Sequence, residues 1–137
     1  MKMIKIFTHP VVIIIAFLLI LISGEHLGGF YLLYIVLGLP HGAVHSLLAI
    51  VGIGLLLFSN YKYQQQFIFN IEPVLNIMGL IMLLLSLFLF FYNDKSHYNY
   101  GTFYQTIPVI LLSVFALLVA GFLFNNFSKI KVRQMAA

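Results

Sequence analysis

The sequence contains no cysteine and no tryptophan, and it carries few charged residues. Without cysteine, the chain forms no disulfide, offers no thiolate to a metal and has no thiol nucleophile. Asp, Glu, Lys and Arg together make up 7% of the 137 residues, whereas a soluble domain typically carries about 25%. So few charges cannot cover a folded globule of this size with water-facing groups, and lipid must therefore cover most of its surface.

Hydrophobic residues make up 63% of the chain, and they occur in long runs. A bilayer core about 30 Å thick is crossed by roughly 20 apolar helical residues, so the sequence predicts a single membrane domain over residues 1–137. The formal net charge is +4. The basic residues lie beside the hydrophobic runs and form no basic stripe, so the bilayer is the expected partner and nucleic acid is not.

Four hydrophobic stretches predict an all-α integral membrane protein with four transmembrane helices. The predicted spans cover about residues 7–23, 41–58, 73–92 and 107–124. Prolines stand near the start of three of them, where the missing N–H costs nothing: Pro10, Pro73 and Pro108. The first span also resembles a signal peptide, but its exit is a poor cleavage site, so we expect it to be retained as a helix.

The second stretch is too long for one ordinary span, and Pro40 divides it. In one interpretation, residues 27–39 form an interfacial or re-entrant segment that precedes the span 41–58. In the other, one long tilted helix is kinked at Pro40, because an internal proline removes a hydrogen bond and clashes with the preceding turn. Two full spans are excluded, since residues 27–39 would reach only about 20 Å as a helix.

The positive charges predict the orientation of the four spans. Both termini and the loop 59–72 share one side of the membrane, where most basic residues stand: Lys2, Lys5, Lys62, Lys129, Lys131 and Arg133. The opposite side has Lys95. The positive-inside rule places the first side in the cytoplasm. The composition, rich in Ile, Phe, Asn and Lys, fits an AT-rich bacterial genome, so we expect a bacterial inner-membrane protein with both termini cytoplasmic.

The motif Gly38-Leu39-Pro40-His41-Gly42-Ala43-Val44-His45 contains two histidines four residues apart. If the helix runs on from Pro40, His41 and His45 share a face. Ala49 and Gly52 continue that face, and small residues indicate that it looks into the bundle. Such a pair could bind haem or a transition metal, or relay a proton. The alternative is structural, with each histidine bonded to a neighbouring helix. The zinc-protease glutamate is missing from this spacing.

Further polar residues are predicted on the same outer side. Glu25 and His26 follow the first span, so a candidate metal site would comprise Glu25, His26, His41 and His45. Imidazole and carboxylate suit several transition metals. The alternative is that these residues are polar because loops meet water. We favour this alternative both for Glu25 and His26 and for the loop residues Asp94 and His97.

Two helices carry small or polar residues on one face, and we expect these faces to meet the His41 face inside the bundle. In the third predicted helix the face contains Asn76, Gly79 and Ser86, and in the fourth it contains Ser113, Ala116 and Ala120.

The five residues Gly38-Leu39-Pro40-His41-Gly42 resemble a short stretch found in bacterial membrane enzymes that cleave β-carotene. Those enzymes are much larger and have further histidine-bearing helices, for which this chain lacks room. We therefore do not carry their activity over.

Three functions remain open, and the sequence ranks them. First comes a non-catalytic accessory or structural subunit of a larger membrane complex, or a homo-oligomer. Small size, short polar loops and small-residue faces favour it, as does the lack of a phosphate-binding loop, a Gly-x-Ser-x-Gly motif or paired intramembrane carboxylates, so the chain is expected not to be an enzyme. Second is a haem or metal protein that uses His41 and His45. Third is a small transporter or channel that uses the break at Pro40.

Overall fold

The computed structural model describes residues 7–24, 28–64 and 71–135. Within these residues, five bounded α-helices follow one another: α1 (Pro10–Leu18), α2 (Tyr31–Gly38), α3 (Val44–Gln64), α4 (Glu72–Tyr92) and α5 (Thr106–Met135). Two short strands, β1 (Leu21–Ile22) and β2 (Gly29–Phe30), pair between α1 and α2, and 3₁₀ turns cover Leu39–His41 and Tyr98–Phe103.

Three of these helices are long and apolar enough to cross a bilayer. Their apolar stretches are Val44–Tyr61, Glu72–Tyr92 and Thr106–Val132, with 18, 21 and 27 residues. At 1.5 Å per residue, each reaches at least about 27 Å. The prediction of a helical membrane protein is confirmed at this level, and α4 and α5 begin within a residue of the predicted spans 73–92 and 107–124. A shorter apolar helical segment covers Tyr31–His41.

The first predicted span is helical over only part of its length. Helix α1 ends at Leu18, and the chain continues extended into β1, which pairs antiparallel with β2 in the register Leu21↔Phe30 and Ile22↔Gly29. The Tyr31 N–H also donates to the Ile20 carbonyl at 2.7 Å. Ile20 and Ile22 are fully buried, and β-branched side chains suit an extended, packed segment. A turn and the first strand of a small hairpin therefore replace the last five residues of the expected helix.

The segment from Thr8 to Ser23 nevertheless reaches from one end of the bundle to the other. Thr8 lies in a cleft with Ser59, where α3 is ending, and with Glu72, where α4 begins. At the other end, the Ser23 N–H donates to Thr102 Oγ1 at 2.9 Å, just before α5 begins. We call these two ends of the molecule the Lys129 end and the Thr102 end.

Pro40 does not lie in a continuous kinked helix. Helix α2 ends at Gly38, a 3₁₀ turn contains Pro40, and Gly42 then adopts the left-handed conformation with φ 64°. Helix α3 begins at Val44, three residues after the predicted start. The interpretation of one long kinked helix is therefore wrong, because the left-handed residue breaks the helical hydrogen bonding. A separate segment precedes the span.

Helices α3 and α4 approach each other at two glycines. A Cβ on Gly52 would lie 2.8 Å from the Gly79 carbonyl oxygen, and a Cβ on Gly79 would lie 3.0 Å from the Gly52 carbonyl oxygen. Ala49, beside this contact, is fully buried. The predicted faces of α3 and α4 thus meet, as small residues in membrane helices allow.

The expectation for the last helix is wrong. Ser113, Ala116 and Ala120 are exposed, and the face of α5 that packs inward instead presents Phe115 and Phe122, which are 4% and 0% exposed. Aromatic side chains fill more space and make more contacts than alanine or serine. The small-residue face of α5 is left on the outside of the described fold.

We predict that Gly52→Ala destabilises the protein by about 1–3 kcal/mol, because the new methyl group meets backbone that cannot move aside. Thermal unfolding in detergent measures the change. Gly54→Ala is the matched control on the same helix, since nothing lies within 4 Å of its added Cβ. The control should be neutral or slightly stabilising, since alanine favours helix over glycine by up to about 1 kcal/mol. Equal effects of the two substitutions would contradict the close approach.

Candidate functional site

A partly buried ion pair lies at the Lys129 end of the bundle. Glu72 is the first residue of α4 and is 5% exposed. The Lys129 ammonium of α5 lies 2.7 Å from Glu72 Oε1. A carboxylate in the first turn is favoured by the helix dipole, and its burial is tolerated because the opposite charge is in contact. The pair joins the beginning of α4 to the last turns of α5.

Two asparagines extend this ion pair into a buried polar network. Asn76 Nδ2 donates to Glu72 Oε1 at 3.3 Å and to Asn126 Oδ1 at 3.0 Å. Asn126 Nδ2 in turn donates to the Phe122 carbonyl at 2.8 Å. Glu72 and Asn76 are four residues apart, and Asn126 and Lys129 are three apart, so each pair shares one helix face. The facing pairs form one network across α4 and α5.

A polar cleft of about 290 Å³ opens beside this network. It is lined by Thr8, His9, Pro10, Ser59, Asn60, Glu72, Asn76, Asn125 and Lys129. Asn76 is 2% exposed, and its Oδ1 has no hydrogen-bond partner among the described residues. A buried acceptor left without a donor costs about 1–3 kcal/mol. The network beside the cleft therefore contains a buried acceptor that has no donor among the described residues.

His9 stands at the outer part of the cleft and is exposed. Its Nδ1 accepts a hydrogen bond from the Val11 N–H at 3.3 Å, which caps the start of α1. A neutral histidine that accepts at Nδ1 carries its proton on Nε2. His9 thus caps α1 through Nδ1, and its Nε2–H can donate to another group.

The sequence alone does not predict this network. It predicts a loop that ends at Glu72 and a packing role for Asn76. The available signal was the paired spacing, with polar residues at positions 72 and 76 facing positions 126 and 129 near the ends of two adjacent spans. Because 57 residues separate Glu72 from Lys129, their contact depends on how the antiparallel helices align.

His45 lies in the first turn of α3 and is surrounded by aromatic rings. Its ring centroid lies 5.3 Å from that of Phe90 and 6.4 Å from that of Tyr31. Its backbone carbonyl accepts a hydrogen bond from Ser86 Oγ at 2.7 Å. The Tyr31 hydroxyl lies 2.9 Å from the same Ser86 Oγ. His45 therefore sits where α2, α3 and α4 meet.

His41 lies on a different element from His45. It ends the 3₁₀ turn and is exposed, with Nδ1 2.9 Å from the Leu37 carbonyl oxygen. The left-handed Gly42 lies between the two histidines, so the continuous helix on which their shared face depended is absent. Glu25 and His26 lie outside the described residues. Within 7–24, 28–64 and 71–135, no three His, Cys, Asp or Glu side chains come close enough to hold one metal ion. A haem or metal site at these residues stays a prediction.

Asp94 organises the turn at the Thr102 end. Burial raises the pKa of its carboxyl group, but hydrogen bonds outweigh this effect and leave the pKa below its usual value. The Asn99 N–H donates to Asp94 Oδ2 at 2.7 Å, and Ser96 Oγ donates to Oδ1 at 3.0 Å. His97 adopts the left-handed conformation with φ 55°. Asp94 therefore shapes this loop through hydrogen bonds within the protein.

These observations define the class of protein. The chain is a helical membrane protein whose buried polar groups gather at the two ends of its long apolar helices, and the most developed polar site is the cleft at the Lys129 end. No protein-family model, curated protein or solved structure matches the chain.

We predict that Lys129→Gln destabilises the protein by about 1–3 kcal/mol, because it leaves the Glu72 carboxylate buried without its cation. Glu72→Gln combined with Lys129→Gln should recover most of the loss, since two neutral amides need no charge compensation. Thermal unfolding in detergent measures the stability of the single variant, the double variant and a control. Lys131→Gln is the control, because Lys131 is exposed on the same helix. A double variant less stable than Lys129→Gln would contradict the coupling.

Proposed function

We propose that the protein is a non-catalytic subunit of a larger assembly in a bacterial inner membrane, that it crosses the membrane four times, and that both termini are cytoplasmic. The observation that carries the subunit role is the exposed small-residue face of α5, formed by Ser113, Ala116 and Ala120.

This face lies opposite the residues by which α5 contacts its own bundle. Phe115, Phe122 and Asn126 are buried on one side of the helix, and Ser113, Ala116 and Ala120 follow one another at helical spacing on the other. The apolar part of α5 is 22% buried inside the molecule, whereas that of α4 is 33% buried. Small residues at this spacing let a second helix approach closely. The face therefore supports contact with another membrane chain, either a different subunit or a second copy.

The polar groups near His45 support a structural role for that region. The Tyr31 hydroxyl, Ser86 Oγ and the His45 carbonyl oxygen form one chain of hydrogen bonds that ties α2, α4 and α3 together. Such bonds hold three helices in place. This arrangement supports a structural role for the Tyr31 and Ser86 hydroxyl groups and the His45 carbonyl group.

The number of crossings is supported by the length of the first segment. The nine residues of α1 rise about 13 Å as a helix, and the four residues from Ile20 to Ser23 add about 13 Å as an extended segment. The sum of about 26 Å is close to the thickness of a bilayer core, about 30 Å. Non-helical backbone at this depth requires cover by protein, and Ile20 and Ile22 are both fully buried. A half-helical, half-extended segment therefore supports a fourth crossing beside the three long helices.

We predict that positions 7 and 135 face the cytoplasm and that position 104 faces the opposite side. Because the chain has no cysteine, single cysteines at exposed residues report each side: Phe7→Cys, Tyr104→Cys and Met135→Cys. A membrane-impermeant thiol reagent applied to intact bacterial spheroplasts should label Tyr104→Cys at once. The other two should react only after permeabilisation. Labels at positions 7 and 135 on opposite sides would show an odd number of crossings and overturn this topology.

We predict that a photo-crosslinking side chain at position 116 captures a discrete partner in native membranes. Position 85 is the matched control, because Leu85 is 43% exposed on α4 and lies away from the small-residue face. A product of twice the 15.6 kDa chain mass would identify a second copy, and another discrete mass would identify a different subunit. Lipid alone at position 116, or the same protein product from both positions, would contradict the proposed interface.

A further inference from the structure

We infer that the cleft at the Lys129 end binds the headgroup of an anionic phospholipid that carries hydroxyl groups, of the phosphatidylglycerol class. This inference rests on the cleft and is independent of the subunit role. The headgroup would place its phosphate at the mouth of the cleft, near Lys129, and a hydroxyl at its floor, near Asn76.

The depth of the cleft fits a lipid headgroup. Helix α5 begins at Thr106 at the opposite end, and 20 residues separate Thr106 from Asn126. At 1.5 Å per residue this separation is about 30 Å, the thickness of a bilayer core. Asn126 and the neighbouring cleft therefore lie where hydrocarbon gives way to headgroups when Thr106 lies at the other boundary.

The floor of the cleft requires a neutral donor. Asn76 is 2% exposed, and its Oδ1 has no hydrogen-bond partner within the described part of the chain. Its amide nitrogen already donates to Glu72 and Asn126, so the amide cannot turn round without losing both bonds. A hydroxyl group supplies this donor without adding a charge beside the Glu72–Lys129 pair, whose two charges already compensate each other. The floor thus favours an alcohol over an ammonium headgroup.

The mouth of the cleft favours an anion. The Lys129 side chain is 34% exposed, while its partner carboxylate on Glu72 is 6% exposed, so the positive member of the pair is nearer to water. Lys131 is exposed two residues further along α5. Each basic residue near an anionic membrane surface contributes about 1 kcal/mol of attraction. The ammonium near the mouth and the neutral amide at the floor together match a phosphate that carries a polyol.

A direct test compares four lipids on the purified full-length protein in mild detergent. Phosphatidylglycerol should raise the unfolding temperature and remain bound in native mass spectrometry. Phosphatidic acid, which has the phosphate without the polyol, should bind about tenfold more weakly. Phosphatidylethanolamine and phosphatidylcholine should have the smallest effects. Stabilisation by soluble glycerol 3-phosphate, at a concentration comparable with that of the lipid, would show that the polyol phosphate alone is recognised. Equal effects of all four lipids would overturn the inference.

A cleft-filling variant separates this site from a general affinity for anionic lipid. Asn125 lines the cleft and is half-buried, so Asn125→Leu should fill it without removing the Glu72–Lys129 pair. We expect the affinity for phosphatidylglycerol to fall about tenfold while the unfolding temperature without lipid stays close to that of the wild type. Ser128→Leu is the control, since Ser128 is exposed on the same helix and does not line the cleft. Unchanged phosphatidylglycerol binding by Asn125→Leu would overturn the site.

Discussion

Helices α3 and α4 are held together at three levels, and the other elements assemble on this pair. At the Lys129 end, Ser59 Oγ donates to the Glu72 carbonyl at 3.2 Å. In the middle, Gly52 and Gly79 bring the two backbones into contact. At the Thr102 end, Ser86 Oγ donates to the His45 carbonyl. Two hydrogen bonds at the ends and a steric contact in the centre leave the antiparallel pair one alignment, because sliding one helix would break all three.

The remaining elements use this alignment. Ser86 is positioned by its bond to α3, and it then receives the Tyr31 hydroxyl, which fixes α2. The Tyr31 ring meets that of Phe17 edge to face at 5.1 Å, and Phe17 lies 5.9 Å from Phe115 of α5. Aromatic pairs of this kind contribute about 0.5–1.5 kcal/mol each beyond their buried area. The first segment thus packs between α2 and α5, and the Tyr31 ring that it contacts is positioned by the hydrogen bond to Ser86 of α4.

The parts of the fold that could be predicted from sequence are those set by local composition. Long apolar runs defined α4 and α5, and the small residues at Ala49, Gly52 and Gly79 identified the faces by which α3 and α4 meet. The end of α1 at Leu18 was not predictable, because an apolar run looks the same whether it is helical or extended. The left-handed Gly42 likewise depends on how α2 must turn back onto α3.

The candidate site likewise has a part that could be predicted from sequence and a part that could not. Polar residues at 72, 76, 126 and 129 were visible, but their meeting required the relative alignment of two helices that are far apart in sequence. The outward position of Ala116 and Ala120 was also hidden, since a small-residue face indicates close contact without saying whether the partner belongs to the same chain. Competition with Phe115 and Phe122 for the interior decided the outcome.

The hairpin after α1 has a consequence for the order in which the protein is made. Its strands are close in sequence, so β1 and β2 can form backbone hydrogen bonds with each other soon after both have left the ribosome. Ser23, at the edge of β1, bonds to Thr102, which is synthesised 79 residues later. Until then this part of the segment has polar backbone without its final partner, and such backbone is costly in hydrocarbon. The first segment therefore forms its final hydrogen bonds only after the turn that precedes the last helix has been synthesised.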